Sequence, residues 1–322
     1  MARAPLLHDR LVGAISDETE PDRTAASFRS SEENCSIPTD QSGFTRSEPL
    51  AGRFRHIGIR TSASLALVAG IALLTIAGLA RSAFADEPPT VAAAADLQFA
   101  LTEVAAAFAA ETGLEVKLAF GSSGNFARQI RQGAPFEMYL SADESYVLEL
   151  SRDGFTRDDG VLYAIGRIVV IVPDGSPLEP DGTLRDLRAA LADGRVQKFA
   201  IANPEHAPYG RRAEEALRHA GLWEAIEDRL VLGENVAQAA QFATSGSTAG
   251  GIIAYSLALS PKVSARGRFE PIPEAWHAPL RQRMVLLENA GATAGRFFAF
   301  VQAPRARAVM RRYGFVLPGE GS

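Results

Sequence analysis

From Thr90 onward, short apolar runs alternate with segments in which apolar residues recur at helical spacing. The first run, Thr90–Ala95, predicts a strand. Apolar residues follow it at spacings of four, three and four, which places them on one face of a helix. They are Leu97, Leu101, Val104 and Phe108. Asp96 stands between the two elements, where a helix N-cap is expected.

The same alternation continues towards the C-terminus. Further strands are predicted at Glu115–Phe120, Phe136–Leu140, Arg167–Val172, Lys198–Ala202, Leu230–Leu232, Gly251–Tyr255 and Met284–Leu287. Helices are predicted between them at Phe126–Gln132, Ala142–Arg152, Leu184–Ala192, Tyr209–Ala220, Val236–Thr244 and Pro304–Tyr313. Strands that alternate with helices are typical of βαβ units, so the pattern predicts an α/β protein with mostly parallel sheets. The length of the chain from Asp86 to the C-terminus favours two lobes over one.

The residues before Thr90 follow a different pattern. Residues 1–52 are polar and lack an apolar period, which predicts a disordered leader or a stretch that precedes the true start of translation. Arg53–Arg60 is basic, Ala63–Ala80 is apolar, and Ala83-x-Ala85 places small residues at a cleavage site. This order predicts a signal peptide over 53–85 and a periplasmic mature protein. The alternative is an uncleaved membrane anchor, because the apolar run approaches the length that spans a bilayer.

Composition narrows the classes of function. Lys and Arg number 33 against 38 Asp and Glu, and this formal net charge of −5 argues against a dedicated nucleic-acid-binding protein. Cys35 is the single cysteine, so a disulfide framework and a multi-cysteine metal cluster are excluded. No two histidines after residue 86 are four positions apart, so the helical zinc motif is absent.

The candidate chemistry lies at the turns that follow strands, since ligands of open α/β sheets bind outside the carboxyl ends of the strands. Small and hydroxyl-bearing residues fill Ala94–Gln98, Phe120–Asn125 and Asn203–Gly210. The helix N-termini that begin there offer unpaired N–H groups and a partial positive charge, which suit an anion. Ser and Asn also cap helices that bind nothing, so these turns by themselves leave both interpretations open.

The sequence around these turns resembles the periplasmic molybdate-binding proteins of bacterial ABC importers, a type II substrate-binding family. The matching stretches are Val91–Leu101, Phe120–Ile130, Gly133–Pro135, Ser141–Asp143, Asn203–Pro208, Gly251–Ile253 and Tyr313–Phe315, within a resemblance that spans Thr90–Pro318. The resemblance implies a two-lobed α/β fold with a hinge, each lobe a mixed, mostly parallel sheet flanked by helices. Lobe I then comprises 86–168 with 272–322, and lobe II comprises 169–271.

The resemblance also implies a set of ligand contacts, because the family holds its oxyanion between the lobes with hydroxyl and backbone N–H groups. Carried onto this chain, the contacts fall on Asp96, Ser123, Tyr209, Val236 and Ala254, with Ser122 and Tyr255 as additional candidates. Val236 contributes its backbone N–H, and Tyr209 contributes its backbone N–H, with its hydroxyl as a further candidate donor. The best-known members have Ser where this chain has Asp96, and some have Tyr where it has Ala254.

The resemblance further implies what the protein binds. Molybdate or tungstate is the ligand, held as the oxyanion by the same residues, and no cofactor is expected. The expected partner is the permease of an ABC importer, and the expected state is a monomer that binds no nucleic acid. A carrier of phosphate or sulfate is the alternative within this class. A hydrolase that uses Ser123 with His206 is the alternative from another class, but it needs a base oriented by a third group, and the spacing supplies none.

Asp96 is the position that fits this ligand least. Molybdate is a tetrahedral dianion whose oxygens only accept hydrogen bonds, so a matched site offers donors, each contributing about 1.5–3 kcal/mol. We expect the Asp96 carboxylate to turn away from the ligand and cap the following helix through the N–H of Phe99. Alternatively, it accepts a hydrogen bond from a protonated oxyanion such as hydrogen phosphate.

Overall fold

The computed structural model describes residues 87–320, which form two five-stranded sheets with helices packed around them. The predicted leader, 1–52, and the predicted signal peptide, 53–85, lie outside the described residues. Within 87–320, no helix has both the length and the apolar character needed to cross a bilayer.

The strands divide between the sheets as follows. The first sheet has the order β2-β1-β3-β10-β4, with β1 Thr90–Ala94, β2 Lys117–Gly121, β3 Met138–Ser141, β4 Val161–Gly166 and β10 Leu280–Leu286. The second has the order β7-β6-β8-β5-β9, with β5 Ile168–Pro173, β6 Phe199–Ala202, β7 Leu230–Gly233, β8 Gly251–Ala254 and β9 Gly267–Pro271. We call the elements around the first sheet the first lobe and those around the second sheet the second lobe.

The helices follow the strands in the predicted alternation. The α-helices are α1 Gln98–Thr112, α2 Ser123–Arg131, α3 Glu144–Arg152, α4 Arg185–Ala192, α5 Pro208–His219, α6 Trp223–Ile226, α7 Val236–Ala243, α8 Tyr255–Ala258, α9 Pro261–Ser264, α10 Ala292–Val301 and α11 Pro304–Arg312. Short 3₁₀ helices cover Ala95–Leu97, Glu227–Arg229 and Glu274–Trp276.

Both sheets are mixed, and they share one pattern of pairing. In the first, β1 pairs in parallel with β2 and β3, whereas β10 pairs antiparallel with β3 and β4. In the second, β6 pairs in parallel with β7 and β8, whereas β5 pairs antiparallel with β8 and β9. The mixed α/β architecture is therefore confirmed. Both sheets contain more antiparallel pairing than the sequence predicted. The antiparallel pairings involve the strands at which the chain crosses from one lobe to the other.

The chain crosses between the sheets at two places. It leaves the first sheet after Gly166 and enters the second at Ile168, which already pairs with Ala254. It returns between Pro271, the last residue of β9, and Leu280, the first of β10. The sequence predicted that lobe I ends after residue 168, but Ile168 already pairs within the second sheet, so the crossing lies slightly earlier in the chain. The lobe ranges themselves stay a prediction.

Two strands and one long helix were missing from the sequence prediction. They are β4, β9 and α10, and of these β9 carries exposed charged side chains at Arg268 and Glu270. β9 lies at the edge of its sheet, so only part of it is buried and it lacks a continuous apolar run. By contrast, all six residues of β5 are buried, as expected for a strand covered on both faces.

Candidate functional site

A small cavity of about 10 Å³ lies where the two lobes meet. Its wall consists mainly of small side chains and the first residues of helices: Ala94, Ala95, Asp96, Gly121, Ser122, Ser123, Ala142, Ala207, Pro208, Tyr209 and Val236. Pockets for drug-sized ligands measure about 300–1,000 Å³, so this cavity suits a much smaller ligand.

Helix N-termini from both lobes converge on this cavity. α2 begins at Ser123 in the first lobe, and α5 and α7 begin at Pro208 and Val236 in the second. The first N–H groups of a helix have no partner within it and carry partial positive charge. Because proline has no N–H, Tyr209 supplies the first such donor of α5. The arrangement presents neutral donors and a positive potential, which suit a small anion.

Local sequence explains why these helices begin at the cavity. Ser122 has an extended backbone, and its hydroxyl accepts a hydrogen bond from the N–H of Asn125 at 3.4 Å. Asn235 caps α7 in the same way by accepting from the N–H groups of Ala237 and Gln238 at 3.0 and 3.1 Å. Each cap satisfies later N–H groups and leaves the first one of its helix without an intrahelical partner.

Ser123 lies inside α2, although the sequence placed it in the turn Phe120–Asn125 and predicted that the helix begins at Phe126. Its side chain is fully buried, and its Oγ accepts a hydrogen bond from the Ala142 N–H at 3.0 Å. Its carbonyl accepts from the Tyr139 hydroxyl at 2.8 Å. The Ser123 hydroxyl therefore already holds the neighbouring Ala142 turn in place, while its own hydrogen is available as a donor.

Asp96 does not cap α1, so that prediction is wrong. Neither the Ala95–Leu97 turn nor α1 has a side-chain cap bond. A capping residue needs an extended backbone, whereas Asp96 lies within the 3₁₀ turn. Its Oδ2 instead accepts from the Tyr209 hydroxyl at 2.9 Å and from Gln282 Nε2 at 2.7 Å. Its carbonyl accepts from the Ser256 hydroxyl at 2.8 Å, so side chain and backbone both join the lobes.

Gln282, Tyr163 and Ser256 complete this buried network, and sequence reasoning missed all three. Gln282 is fully buried at a bulge in β10, where the register with β4 shifts. A bulge re-aims a side chain, and Gln282 reaches Asp96 while its Oε1 accepts from the Tyr163 hydroxyl at 2.8 Å. Gln282 stands between Arg281 and Arg283, so its neighbours in the sequence give no sign that it is buried.

Burial dominates the ionisation of the network. It raises the pKa of Asp96 from 3.8 to about 6, although the hydrogen bonds from Gln282 and Tyr209 oppose the rise. Burial also raises the pKa of Tyr209 and of Tyr163 well above the usual value of 10, and the nearby Asp96 carboxylate adds to both shifts. Both tyrosines are therefore neutral hydrogen-bond donors at any physiological pH.

The raised pKa of Asp96 predicts that this residue lowers stability as the pH increases. The folded protein holds the Asp96 proton more tightly than the unfolded chain does. The stability that this proton contributes is therefore fully present below pH 3.8 and is lost as the pH rises through about 6. About two pKa units correspond to roughly 3 kcal/mol of unfolding free energy. Urea unfolding between about pH 4 and pH 7 measures the effect. Glu144 and Asp181, whose pKa values are lowered, act in the opposite sense.

The difference between the wild type and Asp96→Asn therefore isolates the effect of Asp96. The wild type is expected to lose stability relative to this variant across that pH range. Parallel pH profiles for the two proteins would contradict the assignment.

The rim of the cavity carries a second set of contacts between the lobes. The Gly124 N–H donates to the His206 carbonyl at 2.9 Å, and the Ser122 hydroxyl contacts His206 Nδ1 at 2.9 Å. His206 Nε2 lies 3.5 Å from a carboxylate oxygen of Glu234. The predicted pair of Ser123 with His206 is therefore not formed, because Ser122 occupies that position and Ser123 faces Ala142.

Ala254 and Tyr255 do not line this cavity. Ala254 is fully buried at the end of β8. The Tyr255 ring packs edge-on against Phe269, with 6.0 Å between the ring centroids. The structure thus brings together Asp96, Ser122, Ser123, Tyr209 and Val236 among the predicted residues. No cluster of His, Cys, Asp and Glu suited to a metal ion occurs within 87–320.

Comparisons with known proteins place the chain among bacterial binding proteins. Residues 89–316 match the family model of bacterial extracellular solute-binding proteins. The chain is 34% identical over 248 residues to the molybdate-binding protein ModA of Rhodobacter capsulatus, covering 76% of this chain and 94% of that one. It is 32% identical over 261 residues to ModA of Escherichia coli, covering 79% and 98%. The solved structure of the Azotobacter vinelandii periplasmic molybdate-binding protein superposes with a TM-score of 0.64 at 29% identity, covering 71% of this chain and 99% of that one.

Proposed function

Because the chain belongs to the family of bacterial extracellular solute-binding proteins, we propose that it captures molybdate for an ABC importer. The molybdate-binding relatives align over most of their length, and their solved representative shares the fold. The protein is a substrate-binding protein of this transport system and hands its ligand to a membrane permease.

The observation that carries this proposal is the convergence of helix N-termini and buried hydroxyls on the small cavity between the lobes. The N–H groups of Tyr209 and Val236 and the hydroxyls of Ser122 and Ser123 are neutral donors. Molybdate oxygens are acceptors only, so the donor set matches the ligand. A site made of neutral donors also lacks a cationic side chain, which would attract any anion regardless of its shape. Ala254 and Tyr255 are not part of this proposed contact set.

We further propose how the protein is exported, where it works and how it delivers its ligand. The chain is exported through its signal peptide over 53–85, matures at Asp86 and works in the periplasm as a monomer without a cofactor. The two lobes close on the ligand, and the permease then receives the closed form, a hinge motion that binding proteins of this architecture use. Tungstate has the same charge and shape as molybdate and is expected to bind at the same donors.

The Ser122–His206–Glu234 arrangement is the observation that favours a hydrolase as second candidate. Ser122 and His206 are in contact, but Glu234 is largely exposed, and Ser122 also caps α2. We interpret the three residues as a contact that holds the lobes together. Ester hydrolysis by the wild type that disappears in Ser122→Ala would favour the hydrolase instead.

Calorimetry with molybdate, tungstate, sulfate and phosphate in turn tests the proposed function. We expect molybdate and tungstate to bind, sulfate to bind more weakly because it is smaller, and phosphate to give no measurable heat. The physical reason is that a cavity lined by donors favours an unprotonated dianion whose size fills it. Phosphate binding that is tighter than molybdate binding would overturn the proposal and make the protein a phosphate carrier.

A further inference from the structure

One oxygen in the wall of the anion cavity has no partner. Asp96 lines the cavity and is 1% exposed, and its Oδ1 is buried without a hydrogen bond among the described residues. Its Oδ2, by contrast, accepts from both Tyr209 and Gln282. Both donors are neutral, so the carboxylate has hydrogen bonds on one side and no compensating charge.

The charged groups on the elements around Asp96 are directed elsewhere. In the helices and strands that pack around Asp96, these charged side chains form ion pairs with one another within 87–320. The pairs are Lys117 with Glu87, Arg312 with Glu103, Arg305 with Glu111, Arg281 and Arg283 with Glu144, Arg211 and Arg212 with Asp143, and Arg167 with Glu274. Helix α7 carries no titratable side chain, and Tyr255 of α8 packs against Phe269. The other titratable groups nearby are Tyr209 and Tyr163 in the network and His206 at the rim.

An ionised Asp96 and a dianion therefore compete for the same enclosed space. Like charges in a low-dielectric site disfavour the charged form of the group that can take up a proton. Oδ1 is the natural position for that proton, because Oδ2 already accepts two hydrogen bonds. A protonated Oδ1 becomes a donor, and the missing partner of this oxygen is then supplied by the ligand.

We propose that capture of the oxyanion is coupled to protonation of Asp96, so that one solvent proton binds at Oδ1 and the resulting O–H donates to a ligand oxygen. This inference rests on the proposed function. No covalent bond of the ligand changes. The carboxylic acid then does what a serine hydroxyl does at this position in the resembling family, but only when protonated.

The ionisation of Asp96 without ligand supports this coupling. Burial already raises its pKa to about 6, and a dianion nearby raises it further. Above that pH, the free protein is mostly ionised while the complex is protonated. Linkage then makes the molybdate affinity fall about tenfold for each unit of pH, with one proton taken up per ligand. From about pH 6 to pH 8 the expected loss of affinity is roughly 50-fold, because half of Asp96 is already ionised at pH 6.

Calorimetry of molybdate binding tests this coupling in two ways. The binding enthalpy, measured in buffers of different ionisation enthalpy near pH 8, gives the number of protons taken up by the wild type. We expect close to one. In Asp96→Asn, the amide keeps an acceptor for Tyr209 and Gln282 and offers a permanent N–H donor. This variant is expected to bind molybdate with nearly constant affinity across the pH range and with no proton uptake at this site.

His206 provides the control, since it is the ionisable side chain at the rim of the cavity. His206→Gln is expected to keep the proton uptake that Asp96→Asn loses. Uptake that survives in Asp96→Asn, or a pH-independent affinity of the wild type, would overturn the coupling and leave the proposed function intact. A failure of the wild type and both variants to bind molybdate at any pH would overturn the proposed function and the coupling with it.

The alternative in which the ligand carries the proton predicts a different result. An ionised Asp96 that accepts a hydrogen bond from hydrogen phosphate loses its role in Asp96→Asn. In that case the wild type binds phosphate, the variant binds it more weakly, and phosphate binding takes up no proton near pH 8. This outcome contradicts the proposed coupling.

Discussion

Replacing Gly124 by alanine is expected to weaken oxyanion binding by about 30- to 1,000-fold while both lobes remain folded. A Cβ at this position would lie 2.7 Å from the His206 carbonyl oxygen and 2.8 Å from the Tyr146 hydroxyl. The Gly124 N–H also donates to that carbonyl across the cleft at 2.9 Å. The added methyl group thus pushes the lobes apart at the rim of the cavity. Overpacking costs about 1–3 kcal/mol, and a lost hydrogen bond about 1 kcal/mol more.

Calorimetry with molybdate and small-angle scattering with and without ligand measure the effect. The wild type is expected to become more compact when it binds molybdate, and Gly124→Ala to do so much less. Gly295→Ala is the matched control, because a Cβ there meets nothing within 4 Å and the residue lies inside α10. Wild-type affinity in Gly124→Ala would show that the rim contact between Gly124 and His206 plays no part in closure.

Replacing Ser123 by alanine is expected to weaken molybdate binding by about 10- to 150-fold and also to lower stability. The first effect is the loss of a hydrogen bond to a charged ligand, which is worth about 1.5–3 kcal/mol. The second follows from the structure, because the Ser123 Oγ accepts from the buried N–H of Ala142. That N–H is left without a partner in the variant, at a cost of about 1–3 kcal/mol. A hydroxyl in a turn without core packing would have produced only the first effect.

Two measurements separate these effects. Calorimetry gives the affinity, and urea unfolding in the absence of ligand gives the stability. Ser145→Ala is the control, since Ser145 is an exposed serine near the start of a helix in the same lobe and is expected to change neither quantity much. A variant that loses stability but keeps its affinity would assign Ser123 a structural role only and remove it from the ligand contacts.

Part of the site could be derived from sequence because it depends on residues close together in the chain. The turn after β2 holds Ser122 as the cap of α2, and Asn235 caps α7, both through bonds that span two or three residues. Such local rules locate helix N-termini, and N-termini indicate an anion site. The alternation of apolar runs and helical patterns likewise depends on short spacings, so it predicted the α/β class.

The role of Asp96 was decided only by the tertiary structure. The local rule predicted a cap, but the partners of its carboxylate, Tyr209 and Gln282, lie 113 and 186 residues away in the chain. Which atoms meet there depends on how two lobes pack and on a bulge in β10, and no short sequence window contains that information. Its ionisation depends on burial from both lobes at once. The sequence by itself therefore determined which turns we propose to hold the anion, whereas only the folded chain decided that a buried carboxyl group stands beside them.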